Sequence, residues 1–557
     1  MTFAKLLHQV GGMGRFQIIN VALLSIPVLL MASHNLLQNF TAAIPEHHCK
    51  IHINANNTRY LNATLHLNSQ DLLQVAIPMD GNQQPEKCRR FVTAQWYFLD
   101  PNATESNGTQ LDTEPCIEGW TYDRSVYTST IITEWDLVCN LRKLQQVAQS
   151  IYMAGVLVGA LLLGGLSDRF GRKAMLIWSL LQMAVMGTCT AFSPNYILYC
   201  VFRFLSGMAL SGFGLSIACL IVEWIPTQYR TITIAITGFA YTMGQILLAG
   251  VAYSIPDWRW LQLTVSLPFF IFLIYSWWFA ESARWLVLSG KTDTAVKVLQ
   301  RVARVNGKRE EGEQITTEVK RSNGKELSMV KSSYTVVDLV RTPAIRQIFF
   351  CLSAVWFSTS FSYYGLAMDL QNFGVNIYLI QLIFGAVDFP AKVVVTISMS
   401  YIGRRVTLSA SLFLAGLVII GNIFLQIVRT SLAVIGKGCL SATFNCVFLF
   451  TTELYPTPIR QTGLGFGSTM ARIGGIVAPM VKMLDEYFTF LPPVIYGAAP
   501  LISGIAAIFL PETLNKPLPD TIEEVESRSQ KKKGKTEDTN EKILLQSQEK
   551  VLFKETC

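Results

Sequence analysis

Charge is what this 557-residue chain has least of: Asp, Glu, Lys and Arg make up 15% of it, against about 25% in an ordinary soluble domain. Apolar residues reach 51%. A soluble chain of this length divides into several domains, each with a polar surface to cover, and the polar residues for that are missing. The shortage argues against a soluble enzyme, and the apolar excess argues against a disordered protein. The net charge of +8 signals nucleic acid only if the basic residues gather on one surface, so its meaning depends on where they sit. Two further absences narrow the chemistry. No GxxxxGK[ST] loop occurs, so ATP hydrolysis is not implied. No Cys or His spacing suits a metal, and the adjacent His47 and His48 do not supply one. No cofactor and no bond-making step are expected.

What is present is a series of long apolar runs. A bilayer core of ~30 Å needs ~20 apolar residues as a helix. Twelve runs qualify: 16–37, 146–166, 174–193, 196–222, 232–254, 261–280, 346–367, 376–398, 406–428, 432–452, 463–482 and 491–510. The first follows a polar stretch containing Gln9, and no small-residue cleavage site follows it cleanly, so it reads as an uncleaved helix. Residues 38–145 form a long hydrophilic loop after the first run, and 281–345 form a linker after the sixth. These divide the chain into a half spanning 1–280, a half spanning 346–510, and a tail, 511–557, whose Lys531–Lys535 cluster reads as disordered and able to touch anionic lipid.

Three signals orient the chain. Residues 38–140 carry 12 acidic against 6 basic residues, and 281–345 carry 8 against 12. With Arg169, Arg172, Lys173, Arg230, Arg404 and Arg405 all in turns on the linker's side, the linker and both termini are expected in the cytoplasm. The loop holds N-glycosylation sequons at Asn56, Asn62, Asn102 and Asn107, with Asn39 at its edge. It also holds Cys49, Cys88, Cys116 and Cys139, an even number that suggests two disulfides in any of three pairings.

The two halves repeat one another. Glu223-Trp-Ile-Pro226-Thr227-Gln-Tyr-Arg230 returns 230 residues later as Glu453-Leu-Tyr-Pro456-Thr457-Pro-Ile-Arg460. Gly171-Arg172-Lys173 returns as Gly403-Arg404-Arg405, and Glu281 with Arg284 falls where Glu512 falls in the second half. Such a parallel repeat of six helices describes the major facilitator fold, an all-α membrane protein of twelve spans. The segment Ser167-Asp168-Arg169-Phe170-Gly171-Arg172-Lys173 resembles that superfamily's loop between helices 2 and 3, although its second copy has Ser400 in place of the acid. Asp168 lies at a helix C-terminus, where the dipole disfavours it. Arg230, Glu223 and Arg203, on helix 4 and its exit, are available to compensate it. Such charges are expected either to latch the halves together in one state or simply to set topology.

The resemblance narrows with Met31-Ala-Ser-His-Asn35 to Asn39-Phe40, with Thr133-Glu-Trp-Asp-Leu-Val-Cys139, with Ala280-Glu-Ser-Ala-Arg-Trp285 and with Pro511-Glu-Thr-Leu-Asn-Lys-Pro. These motifs, spread over all but the last ~40 residues, resemble the organic-ion transporter family. Within it the chain is similar to the renal-type organic anion exchangers. The resemblance implies a plasma-membrane carrier, at home in a basolateral epithelial membrane, that takes up aromatic carboxylates in exchange for a dicarboxylate such as 2-oxoglutarate. Small organic anions, the counter-dicarboxylate and the bilayer are its expected partners; nucleic acid is not, and the sequence leaves oligomer contacts open.

The residues themselves agree. Ionisable groups inside a membrane helix are expensive and are functional candidates. Arg472 has no acid at i±3 or i±4, and a guanidinium suits a carboxylate through two parallel bonds; a structural pair with a distant helix is the alternative. Lys392 follows Asp388 by four residues, so the two either neutralise each other or the ammonium is poised for substrate. Lys437, near the start of its run, reads as snorkelling to the surface. Trp356 shares a helix face with Tyr363, beside Tyr364, and Phe444 shares one with Phe448. The resemblance places these aromatics, Tyr241 and Asn35 around a central cavity: an aromatic cage with a cationic end. An organic cation, carnitine or urate carrier is the nearest rival. A cell-surface receptor built on the outer loop is the rival of a different class.

Overall fold

The computed structural model describes residues 7–51, 69–95 apart from 82, residue 98, and 112–313, 337–425, 428–456, 459–516, 519 and 522–530. Among these residues, twelve helices are long and apolar enough to cross a membrane. They are α1 Arg15–Leu36, α2 Lys143–Phe170, α3 Arg172–Ala191, α4 Tyr196–Trp224, α5 Thr227–Ser254, α6 Trp258–Ser276, α7 Pro343–Ala367, α8 Ile377–Tyr401, α9 Arg404–Phe424, α10 Arg429–Leu454, α11 Arg460–Lys482 and α12 Leu491–Ile508. Helix α6 is two segments meeting at Pro268, whose missing N–H and fixed φ suit it to start the second. Helix α8 keeps Pro390 inside one unbroken span. Antiparallel neighbours alternate direction, so one end of the bundle carries the 38–145 loop and the opposite end carries the 281–345 linker.

The described part of the loop is folded. Strands β1 His47–Cys49 and β4 Trp120–Tyr122 pair antiparallel, as do β2 Arg89–Phe91 and β3 Thr113–Pro115. Disulfides Cys49–Cys116 and Cys88–Cys139 hold the strands together and settle which pairing of the four cysteines is formed. Trp258 Nε1 donates to Glu134 Oε2 at 2.8 Å and fixes this small domain to the start of α6.

One expectation changes here. The Asn39 sequon is no glycan acceptor in this fold: the residue continues the α1 rod, is 7% exposed, and its amide nitrogen donates to the Ala367 carbonyl at 2.9 Å. The remaining sequons, Asn56, Asn62, Asn102 and Asn107, lie outside the described residues. Part of the linker is helical. Its helix Thr292–Val305 ends at Asn306, whose side-chain oxygen accepts from Phe16 N at 2.9 Å while its nitrogen donates to Val10 O at 3.0 Å, pinning the start of α1. The tail begins with order too, since 522–530 is helical and Glu526 accepts from Ala344 N at the start of α7. The Lys531–Lys535 cluster lies outside the described residues.

Candidate functional site

A cavity of about 420 Å³ lies between the halves. One wall comes from α1, α2, α4 and α5, and the other from α7, α8, α10 and α11. Asn35, Tyr241, Trp356, Tyr363, Tyr364, Lys392, Phe444 and Arg472 all line it. Phe448 does not. One turn beyond Phe444 toward the linker end, it is an exposed side chain outside this wall.

The aromatic wall is built edge to face. The rings of Tyr363 and Phe444 are 5.5 Å apart at 84°, those of Tyr363 and Tyr364 are 5.5 Å apart at 86°, and Trp356 meets Phe444 at 6.5 Å. This is the geometry that aromatic quadrupoles favour. Trp356 donates its indole N–H to Thr451 at 3.1 Å, which leaves its ring free to face the cavity. Asn35 Nδ2 donates to the Tyr241 hydroxyl at 3.2 Å.

The basic residues differ from their sequence expectations. Lys437 does not snorkel. It is 0% exposed, and its ammonium donates to both Asp388 oxygens at 3.0 and 2.9 Å, to Gln245 Oε1 at 2.9 Å and to Phe384 O at 2.7 Å. The Asp388 carboxylate is thereby turned to α10. Its α8 neighbour Lys392 reaches the other way, across the seam, donating to Gly238 O at 2.9 Å and Thr242 Oγ1 at 2.7 Å on α5. Arg472 donates to Ser468 at 3.0 Å and meets no carboxylate among the described residues. The single acid of the described lining is therefore neutralised from behind, and two cations, Lys392 and Arg472, present uncompensated charge. Gln245 was missed. An amide deep in an apolar run, four residues from Tyr241, was its signal; it donates to Tyr363 at 3.3 Å and to Asp388 at 3.2 Å.

The end charges form two matching sets, each within one half. In the first, Arg172 stands 3.5 Å from Glu223 and donates to Ser167 O at 3.0 Å, and Glu281 accepts from the backbone N–H groups of Arg172 and Lys173 at 3.0 and 3.1 Å. In the second, Arg404 stands 3.2 Å from Glu453 and donates to Met399 O at 3.0 Å, and Glu512 accepts from the N–H groups of Arg404 and Arg405 at 2.9 and 3.0 Å. Each glutamate caps the start of a helix, where N–H groups lack partners and the dipole favours an anion. Gly171 and Gly403 make the approach possible: both have positive φ, at 105° and 116°, and a Cβ on either would run into the capping carboxylate. These contacts brace helix ends inside a half and do not join one half to the other. Arg460 donates to its own Tyr455 carbonyl at 3.2 Å, and Arg169 and Arg284 are exposed. The side chains of Asp168 and Arg230 lie outside the described residues. Arg203 is no partner for Asp168: it sits two turns into α4 from the loop end, about 30 Å from the far end.

Besides the bonds of Lys392 and Gln245 at mid-height, the halves are joined at the loop end. Lys143 meets Glu486 at 2.9 Å, Arg142 meets Asp485 at 3.9 Å, Asn39 meets Ala367, and Ser150 donates to Ile476 O at 3.2 Å.

Burial alone would raise the Glu512 carboxyl, but donation from the N–H groups of Leu514, Arg404, Arg405 and Thr513 outweighs it and holds the group below the usual glutamate range. A depressed acid stabilises the fold above its unfolded pKa and loses that contribution as pH falls through the folded value. Thermal stability of the purified protein is accordingly expected to fall on acidification below the ordinary glutamate range, and Glu512→Gln to flatten that part of the pH profile. A variant with the wild-type slope would show that Glu512 does not carry it.

Among the described residues, twelve apolar helices stand in two halves about a cavity lined by aromatic rings and two cations, the build of a membrane carrier. The sequence profile of the sugar (and other) transporter family matches residues 91–525. Solute carrier family 22 member 6-A of Xenopus laevis is 62% identical over 99% of this chain and 98% of its own length. Solute carrier family 22 member 6 of Rattus norvegicus is 53% identical over 96% of each. The chain belongs to the sugar (and other) transporter family and, within it, to solute carrier family 22. Among solved structures, the xylose transporter XylE of E. coli in an inward-open conformation aligns with a TM-score of 0.58 at 15% identity, over 92% of this chain and 99% of that one. At that identity the likeness speaks to the fold alone.

Proposed function

We propose that this protein carries organic anions across the plasma membrane, taking up aromatic carboxylates in exchange for an intracellular dicarboxylate such as 2-oxoglutarate. The observation that carries the reading is Arg472: a guanidinium facing an aromatic cavity with a serine as its hydrogen-bond partner and, among the described residues, no carboxylate beside it. Aromatic walls take up the apolar body of the substrate, and Arg472 and Lys392 supply the positive end. The organic cation rival needs a free acid in the cavity, and Asp388 is already held by Lys437. Solute carrier family 22 relatives support the same reading.

In this reading the disulfide-linked loop faces the oxidising exterior, both termini lie in the cytoplasm, and the braced halves rock about the cavity. The test is uptake of labelled p-aminohippurate into cells, with and without glutarate preloaded inside. Preloading is expected to raise the initial rate several-fold. Equal rates would remove exchange and leave facilitated diffusion; no uptake in either condition, with a labelled quaternary ammonium entering instead, would remove the anion reading.

A further inference from the structure

Arg203 is the most isolated charge among the described residues. It is 1% exposed, and all three guanidinium nitrogens lack a hydrogen-bond partner. A buried cation without a counter-ion is strongly unfavourable, so its retention calls for an account. Its close contact is the face of Tyr152: the guanidinium carbon lies 4.0 Å from the ring centroid, within the range of a strong cation–π contact. The Tyr152 hydroxyl, itself buried, donates to Asn35 Oδ1 at 3.0 Å. Asn35 in turn gives an N–H to Tyr241 at 3.2 Å. Asn35 and Tyr241 line the cavity; Arg203 and Tyr152 stand behind them.

The order of this relay has a chemical consequence. A phenol has one hydrogen to give, and here it goes to the amide oxygen of Asn35. A cation on the ring face draws electron density from it and makes that hydrogen a better donor. With its oxygen held at the back, the Asn35 amide turns its NH2 edge toward the cavity and keeps its acceptor away from it. A donor edge favours a carboxylate, whereas a flipped amide would present an oxygen to it.

We propose that Arg203 is a positioning residue that sets the preference for anions: through Tyr152 it holds the Asn35 amide with its donor edge toward the substrate. This deepens, and rests on, the reading of the cavity as an organic anion site.

The test measures KM and the maximal rate per surface carrier for p-aminohippurate in the full-length protein and in Arg203→Met, Arg203→Lys, Tyr152→Phe and the double variant Arg203→Met with Tyr152→Phe. Arg203→Met and Tyr152→Phe are each expected to raise KM about 10-fold with the maximal rate little changed, the effect of one lost charge-supported hydrogen bond. Arg203→Lys keeps a cation for the ring and is expected to stay within about 3-fold of wild type. The double variant is expected to be no worse than either single one, because both cut one relay. Multiplying effects, or Lys as poor as Met, would overturn the proposal, as would a KM unchanged while surface abundance falls. Should Arg203→Met fail to reach the surface, Tyr152→Phe decides alone, since it removes one oxygen, and an unchanged KM there overturns the relay. Wild-type protein that does not take up the anion sinks the functional reading instead, so the two failures are told apart.

Discussion

Replacing Arg472 with aspartate is expected to abolish uptake of an aromatic carboxylate while the protein still reaches the cell surface. The side chain has one hydrogen bond, to Ser468 on its own helix, and no ion pair among the described residues depends on it. Its removal therefore leaves no other buried charge without a partner, which is why folding should survive. Transport should not. A hydrogen bond to a charged group contributes about 1.5–3 kcal/mol, and a bidentate guanidinium–carboxylate contact supplies two, so losing both and adding repulsion should cost roughly 100-fold or more in KM or rate. Arg472→Lys keeps the charge without the planar fork and should lose roughly 10-fold. Uptake of p-aminohippurate normalised to biotinylated surface protein reads both variants. Wild-type uptake in the aspartate variant would remove Arg472 from the site.

The second large effect concerns stability. Asp388 and Lys437 are both about 1% exposed, with their charged atoms 2.9 Å apart. Breaking such a pair from one side costs about 3–5 kcal/mol because the remaining charge stays buried, whereas replacing both sides is often neutral. Lys437→Met and Asp388→Asn should each lower the thermal stability of the detergent-purified carrier sharply, and Asp388→Asn combined with Lys437→Met should recover most of the loss. The fraction remaining monodisperse after graded heating measures this. A double variant as unstable as the worse single one would show that the residues do not act as a pair.

Asp388 also shows where sequence reasoning stops. Four-residue spacing made Lys392 its natural partner, since period counting sees one helix at a time. The partner that wins comes from α10, 49 residues away, and only tertiary packing brings it there. Lys437 misled for a related reason: nearness to a helix start suggests an accessible end, but the packed neighbours α8 and α5 close over it. Asn39 satisfies the sequon rule and fails the geometric one, because its amide already holds α7. The parallel repeat was legible, and so were its charges. What the linear pattern omits is the fold-back of Glu281 and Glu512 onto helix starts in their own halves. Hydropathy suffices for the twelve spans because a bilayer demands long apolar runs. Of the cavity residues, Arg472 stood out by scarcity of charge alone, whereas the aromatics needed the family resemblance, since with 62 of them in the chain most must pack or face lipid.

Lys392 belongs to α8, yet both of its hydrogen bonds end on α5 in the opposite half. An ammonium has three hydrogens, so two fasten α8 to α5 and the third remains for a carboxylate in the cavity. At this residue the join between the halves and the charge offered to cargo depend on one nitrogen, so a substitution of Lys392 touches both.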